Sequence, residues 1–490
     1  MFTSVFKRHR LLKLAGATVV MGGLVAGLAL TGVGSDSAVE AASTKANKKA
    51  KNVIVMISDG CGYNHITATD YYMSKKQAYE SFPVRLGMST YEYESFKAAD
   101  KTTGMAIPLT NWYGEPSYLL GYDPVCMWDE FNYSAYPFST DSASAATAMA
   151  AGIKTYNGAI GVDIGGNPVE LISQRAEFLG KATGVVTSVQ WSHATPAGFV
   201  AHNGSRNNYA AIAQEMILSS ATDVIMGAGN PEFDDSGMPS VKDAKYVGGD
   251  ALWTDLKNGV AGGDANNDGT PDPWTLIQTK DEFEDLADAK VTPDRVCGTP
   301  QVYSTLQQSR AGDGMAAPYG VPLTATVPDL ATMTRGALNV LDEDKNGLFL
   351  MVEGGAIDWA SHANQTGRTI EEEIDFNMAV DAVIQWVKEN SNWGETLLIV
   401  TGDHETGMLW GPGSGIVGGE ARFTPIKNNG KSNVPGVSWS SGEHTNQLIP
   451  LYAKGDASKS LRDYIRASDP VRGAYVDNTD LADLIFKVMK

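Results

Sequence analysis

Three runs of consecutive apolar residues stand out along the chain, and each ends in acid. Residues 52–57 (NVIVMI) run into Ser58-Asp59-Gly60, residues 348–352 (LFLMV) into Glu353-Gly354-Gly355, and residues 397–401 (LLIVT) into Gly402-Asp403-His404. Unbroken apolar runs of this length predict strands buried on both faces. Between them the apolar positions change to helical spacing. Val380, Val383, Ile384 and Val387 repeat every three or four residues behind Thr369 and Glu372, whose spacing predicts a capping-box start. Residues 170–179, 208–218 and 329–341 carry the same period, and residues 448–452 read as a further strand. Alternating strands and helices predict an α/β protein with a mostly parallel central sheet and helices on both faces. Ligands of such sheets bind beyond the carboxyl ends of the strands, and all three acidic clusters fall at that edge. Two stretches break the pattern: residues 72–136, aromatic-rich and irregular, and residues 227–322, rich in Gly, Asp and Pro. Both are expected to form loops or a small lid inserted into one domain spanning 52–490.

The amino-terminal segment is of another kind. Lys7, Arg8, Arg10 and Lys13 precede an apolar stretch from Leu14 to Val33, and Val39-Glu40-Ala41 offers a small-x-small cleavage site. This pattern predicts a signal peptide over residues 1–41, with a retained membrane anchor as the alternative. Residues 42–51 read as a mobile polar linker. The expected destination is the periplasm or the medium, with no membrane attachment of the mature chain. Export means an oxidising compartment, in which Cys126 and Cys297 could pair and leave Cys61. Three Cys in 490 residues exclude a disulfide scaffold. The 43% apolar content excludes global disorder. A net charge of -19 argues against nucleic-acid binding, which needs a basic footprint.

Acid–histidine pairs carry the candidate chemistry. Asp358 and His362 are spaced i, i+4, so a helix puts them on one face. Asp403-His404 directly follows a strand, and His444 lies in a short polar loop before the strand at 448–452. Mixed His and Asp ligands favour zinc, whereas all-oxygen ligands favour magnesium or calcium. Asp141-Ser142 precedes a run of small helix-forming residues, so Ser142 sits at a helix amino terminus, where an anion is favoured. The plainer reading makes Asp141 or Ser142 an N-cap.

Together the segments Asp59-Gly60, Thr140-Asp141-Ser142-Ala143, Lys154 to Ala159, His193-Ala194-Thr195-Pro196-Ala197, Val352-Glu353-Gly354, Ile357-Asp358, Thr401-Gly402-Asp403-His404 and Glu443-His444-Thr445 resemble an alkaline phosphatase in order and spacing. The resemblance runs from about residue 51 to the end of the chain. It implies two zinc ions and one magnesium ion: Asp358, His362 and His444 at the first zinc; Asp59, Asp403, His404 and Ser142 at the second; Asp59, Glu353 and Thr195 at the magnesium. It implies a phosphoserine intermediate on Ser142, a phosphate clamp from Arg206 oriented by Asp141, broad use of small phosphate monoesters, and a homodimer. Two positions depart from the best-known bacterial pattern, which has an aspartate where His193 stands and a lysine where Trp359 stands. The His/Trp pair is similar to that of some marine members. Cys61 falls beside Asp59 but outside the ligand pattern and reads as a small buried residue; His65 and His202 read as structural.

One motif stands apart. Residues 264–272 (DANNDGTPD) place oxygen side chains at Asp264, Asn266, Asp268 and Asp272, with Thr270 between, in the manner of a calcium loop. Thr275 stands where that loop needs a bidentate Glu, so a structural calcium site and a solvated turn both remain open. Competing functions are a phosphodiesterase or sulfatase on the same metal scaffold, and a calcium-dependent surface-binding protein. The Cys-x-Pro-x-Arg setting of sulfatases is absent from the sequence.

Overall fold

A computed structural model describes residues 48–93, 122–131, 139–266 and 268–490. The signal peptide expected over residues 1–41 and the Cys126 side chain lie outside the described residues.

Eleven strands form one sheet: β1 (Asn52–Ser58), β2 (Val84–Ser89), β3 (Ala182–Gln190), β4 (Val224–Ala228), β5 (Thr275–Ile277), β6 (Val296–Gly298), β7 (Leu348–Gly354), β8 (Thr396–Thr401), β9 (Ile449–Lys454), β10 (Ala467–Asp469) and β11 (Gly473–Asp477). Their order is β10-β11-β2-β9-β8-β1-β7-β3-β4-β6-β5. From β8 across to β5 every pairing is parallel. β9 runs antiparallel to both neighbours. The expected α/β sheet is thus present, with helices on both faces.

Alternation along β1 shows how the sequence produces the layers. Val53, Val55 and Ile57 face one core, shared with the helices Ser142–Ala151, Tyr209–Leu218 and Thr479–Val488. Ile54 and Met56 face the other, shared with Leu330–Leu341 and Thr366–Asn390. Burying each such side chain is worth about 1.5–3 kcal/mol. A one-residue slip would exchange the faces, so the register is fixed strongly. It is this register that delivers Asp59, Glu353 and Asp403 to the same edge.

Several expectations are corrected. The stretches at 72–136 and 227–322 are not only loops: the first supplies β2, and the second supplies β5 and β6. Those strands are short and mix polar with apolar residues, so no long apolar run announced them. The end of the 42–51 segment is docked, with Ala50 bridged to Met489 and its N–H donating to the Val488 carbonyl. The helix expected to start at Thr369 begins at Thr366; Thr369 Oγ1 donates back to the Gln365 carbonyl, and Glu372 is buried rather than capping. Cys297 is a free, buried thiol within β6, 3.7 Å from Thr299 Oγ1, and the side chain of its suggested partner, Cys126, lies outside the described residues.

Candidate active site

The carboxyl edge of the parallel block carries the site. Asp59 follows β1, Glu353 ends β7, Asp403 and His404 follow β8, and His193 and Thr195 follow β3. Because β9 is antiparallel, its start lies at the same edge, which brings in His444 just ahead of it. Asp358 and His362 share the helix Ala356–His362 that follows β7, as their spacing predicts. Gly60 allows the close approach of two of these elements. Its φ is +73°, and a Cβ there would lie 2.8 Å from Asp358 Cα and 2.9 Å from Asp358 Oδ1.

Hydrogen bonds fix the tautomers of the three imidazoles. His362 Nδ1 donates to the Gly442 carbonyl at 2.6 Å, and His444 Nδ1 donates to the Thr140 carbonyl at 2.8 Å. Their Nε2 atoms approach to 3.0 Å, and in the neutral rings both would turn lone pairs into the same space. Asp358 closes the group, 3.4 Å from His362 Nε2 and 3.5 Å from His444 Nε2. Thr406 Oγ1 gives its one proton to Asp358 Oδ1, so it accepts from His404 Nδ1 at 3.3 Å. His404 Nε2 then points its lone pair at Asp403 Oδ2, 3.3 Å away, and Asp59 Oδ1, 3.5 Å away. Lone pairs and carboxylate oxygens that converge in this way need a cation between them.

The buried polar atoms agree. Asp59 Oδ1, Asp403 Oδ2 and Glu353 Oε1 have no hydrogen-bond partner among the described residues. Burial, reinforced by neighbouring carboxylates, pushes Asp59 well above the usual carboxylate range, Asp403 to about 6 and Glu353 to about 7. Burial also raises Asp358, but its bonds to His362 and His444 outweigh that and hold it low. Burial lowers His362, and the bond to Asp358 overrides it, raising the group to about 9. The residues present fit metal ions. Asp358, His404 and His444, and likewise Asp59, Asp403 and His404, bring their ligand atoms within 4.8 Å of one another. His404 belongs to both groups, so the two positions adjoin.

Asp141 is the N-cap of Ser142–Ala151, with Oδ1 accepting from Ser144 N at 2.9 Å. It also holds Arg206: Oδ2 accepts from Arg206 Nη1 at 2.9 Å and from Gly158 N at 3.0 Å. Both readings of Asp141 therefore hold at once. Ser142 is the first helical residue, with Oγ 3.3 Å from His404 Nε2. The helix is rich in Ala, which lets it approach the turn at Ala194–Gly198 closely; a Cβ on Gly198 would lie 2.7 Å from Ala146 Cβ. That contact sets Thr195 beside the acids, its Oγ1 3.5 Å from Asp59 Oδ2. Ser142, Asp141, His193, Arg206, Asp358, Trp359, His362 and His444 all line one cleft of about 690 Å³.

Two residues of the site carry no signal in the sequence. Thr406 orients Asp358 and His404, and Thr187 donates to Glu353 Oε2 at 2.5 Å. Threonine has no charge signature, so only position reveals them. Asn157, within the Lys154 to Ala159 motif, has no role of its own in the sequence reading; its Oδ1 accepts from Asp141 N at 2.7 Å and Ser144 Oγ at 2.8 Å. His65 and His202 are structural, as expected: each engages both ring nitrogens away from the metal groups. The 264–272 loop is exposed ahead of edge strand β5. Asp264 accepts from Asp268 N and Gly269 N, Asp268 from Thr270 N, and Asp272 from Ala265 N. Its own backbone thus engages the side-chain oxygens, the pattern of an Asx-stabilised turn.

Converging carboxylates and imidazoles beside an anchored serine and arginine define a metal-dependent hydrolase. Comparison with known proteins gives the family. The alkaline phosphatase family model matches residues 125–435. Alkaline phosphatase 4 of Bacillus subtilis is 27% identical over 99% of this chain and 97% of its own. Alkaline phosphatase H of Pseudomonas aeruginosa is 31% identical over 73% of this chain and 70% of its own. The structure of the alkaline phosphatase from the Antarctic bacterium TAB5 aligns with a TM-score of 0.57 at 25% identity, covering 90% of this chain and 98% of that one. The chain belongs to the alkaline phosphatase family. It is a metal-dependent enzyme that hydrolyses small phosphate monoesters, by the family's phosphoserine route.

Proposed function

We propose that Ser142 is the nucleophile, that Arg206 clamps the phosphate, and that two zinc ions and one magnesium ion serve the reaction. The observation that carries this reading is the 3.0 Å approach of the His362 and His444 Nε2 atoms, closed by Asp358. Asp358, His362 and His444 would hold one zinc, and Asp59, Asp403 and His404 the other, beside Ser142. Asp59, Glu353 and Thr195 would hold magnesium, which prefers oxygen ligands. When bound, these ions lower the pKa of a neighbouring hydroxyl or water and neutralise charge on phosphate oxygens.

Ser142 Oγ forms the bond to phosphorus as the alkoxide leaves from the opposite side. Water then breaks the Oγ–phosphorus bond, releasing inorganic phosphate and restoring the serine. The helix amino terminus behind Ser142 favours the anion. Asp141 holds the Nη1 arm of Arg206 and His193 Nε2 lies 3.5 Å from the Nη2 arm, so the remaining guanidinium N–H groups would meet the phosphate oxygens. The grip is on phosphate, so the leaving group can vary. The test is metal analysis of the purified chain, with p-nitrophenyl phosphate assayed against its bis-ester, with and without chelator. Preference for the bis-ester, or full activity in chelator, overturns the reading. The 264–272 turn takes no part in it.

Arg206→Ala is expected to weaken inhibition by inorganic phosphate by about 2–3 kcal/mol, the worth of a charge-assisted pair in a partly wet site. Unchanged inhibition would remove Arg206 from the clamp.

His193 is held neutral. Burial, with Arg206 beside it, lowers it to about 3. Its ring meets Trp359 edge-on at 5.5 Å. A neutral imidazole and an indole give magnesium and product phosphate less charge than an aspartate and a lysine would. The double change His193→Asp with Trp359→Lys is expected to tighten phosphate inhibition and slow turnover at alkaline pH. Phosphate titrations at several magnesium levels read this out. Equal inhibition and equal rate in both proteins would show that the pair does not govern product release.

Export and pairing belong to the same reading. The leader supports secretion to the periplasm or medium with cleavage near Ala41, checked by amino-terminal sequencing of the exported protein. Among the described residues, no helix is long and apolar enough to cross a membrane. The family resemblance supports a homodimer, checked by sedimentation.

A further inference from the structure

A line of aromatic rings leaves the catalytic cleft on the Arg206 side. It begins at His193, on the cleft wall. His193 stacks on Tyr209 with centroids 6.2 Å apart, Tyr209 meets Tyr246 edge-on at 4.7 Å, and Tyr246 meets Tyr303 edge-on at 5.4 Å. All three tyrosines are half-exposed. Lys245 Nζ lies 5.5 Å from the Tyr209 centroid and 4.9 Å from that of Tyr246, and Lys242 Nζ lies 5.8 Å from that of Tyr303.

The line is built rather than incidental. Tyr209 begins the helix Tyr209–Leu218, three residues past Arg206, so one short segment carries both the clamp and the first ring. Ser192 Oγ donates to the Tyr246 carbonyl at 2.8 Å, tying the second ring to the residue before His193. Tyr303 OH donates to the Asp243 carbonyl at 3.1 Å, which fixes the third. The mechanism uses none of these tyrosines. A core would bury such rings fully; here they are only partly buried and run outward from His193 and Arg206 on the cleft wall.

The geometry points to a leaving-group subsite for nucleoside monophosphates, in which Tyr209 and Tyr246 receive the base while Arg206 holds the phosphate. The inference rests on the assignment of Arg206 and Ser142 to the phosphate site. A flat base gains from ring faces and edges that a polyol leaving group cannot use. Lys245 adds a cation over the same rings, close to the carbonyl and ring-nitrogen acceptors of a base. The ribose supplies the spacer between phosphate and base. The subsite adds a preference among monoesters without narrowing the reaction.

The test compares 5′-AMP with glycerol phosphate as substrates of the metal-loaded wild type and of Tyr246→Leu, with Tyr209→Leu as a second variant. Tyr246→Leu is expected to raise KM for 5′-AMP about tenfold, the usual scale of one lost base–aromatic stack, with kcat kept. Glycerol phosphate should keep both constants. Equal changes for both substrates would make the ring merely structural, and no change for either would remove it from the path; both overturn the subsite. Saturation-transfer NMR with adenosine, which carries no phosphate, separates this from the catalytic assignment. Base contacts in the wild type that vanish in Tyr246→Leu support the subsite even if Ser142 proves not to be the nucleophile. Their absence in the wild type overturns it.

Discussion

Ser142→Ala is expected to lower turnover of p-nitrophenyl phosphate by about a thousandfold or more, the scale seen when a covalent nucleophile is removed. The hydroxyl stands at the first position of its helix, 3.3 Å from His404 Nε2, which itself lies 3.5 Å from Asp59 Oδ1 and 3.3 Å from Asp403 Oδ2. It lines the same cleft as Arg206. Phosphate binding should survive, because Arg206, Asp141 and the other metal-binding residues are untouched, so inhibition by inorganic phosphate should change little. Mass spectrometry of protein quenched with substrate should find a phosphoryl group on Ser142 in the wild type and none in the variant. Ser142→Ala within tenfold of the wild-type rate would sink the assignment. The alanine adds no bulk, and Asp141 rather than Ser142 caps the helix, so the fold is not at risk.

Removal of the metals is expected to have the other large effect, on both rate and stability. Asp59, Glu353, Asp358 and Asp403 are all buried at one edge of the sheet, and Asp59, Asp403 and Glu353 each leave an oxygen without a hydrogen bond among the described residues. Unneutralised carboxylates in such a place oppose folding, and binding that favours the folded state stabilises it by mass action. Chelator should abolish activity and lower Tm by about 10 °C, corresponding to about 9 kcal/mol at about 2.1 cal/mol/K of unfolding entropy per residue. Zinc with magnesium should restore both. A Tm unmoved by chelator, in protein shown by metal analysis to be empty, would mean that the carboxylates are neutralised by protons, held singly or shared between them. Retained activity in that empty protein would overturn the metal-dependent mechanism itself.

Much of this site is legible in the chain alone. The runs at 52–57, 348–352 and 397–401 form β1, β7 and β8, side by side in the sheet, because continuous apolar sequence has few homes other than a doubly covered strand. Acids placed just past such strands must meet at one edge. The i, i+4 pair Asp358 and His362 needs only a helix to converge. The small residues after Ser142 signal a helix that packs closely. By contrast, β2, β5 and β6 hide in stretches with the look of loops, since three-residue strands and a strand with Arg85 exposed carry little pattern. The Thr369–Glu372 spacing misleads for a related reason. Tertiary packing extends the helix to Thr366 and buries Glu372, which local capping chemistry alone would leave at the end.

The sequence by itself determined the α/β class, the edge at which the acids gather, and the family. Those follow from period, spacing and residue type, which are local properties of the chain. Only the tertiary structure decided which lone pairs face one another. Gly442 and Thr140, from distant parts of the chain, choose the tautomers of His362 and His444, and Thr406, turned by its bond to the distant Asp358, chooses that of His404. Only the tertiary structure, likewise, united the capping and arginine-holding roles of Asp141, left Cys297 a free thiol, and ran three tyrosines from separate segments out of the cleft. A hydrogen bond or a ring contact between residues far apart in sequence exists only once the strands between them are in register, and no single segment encodes it.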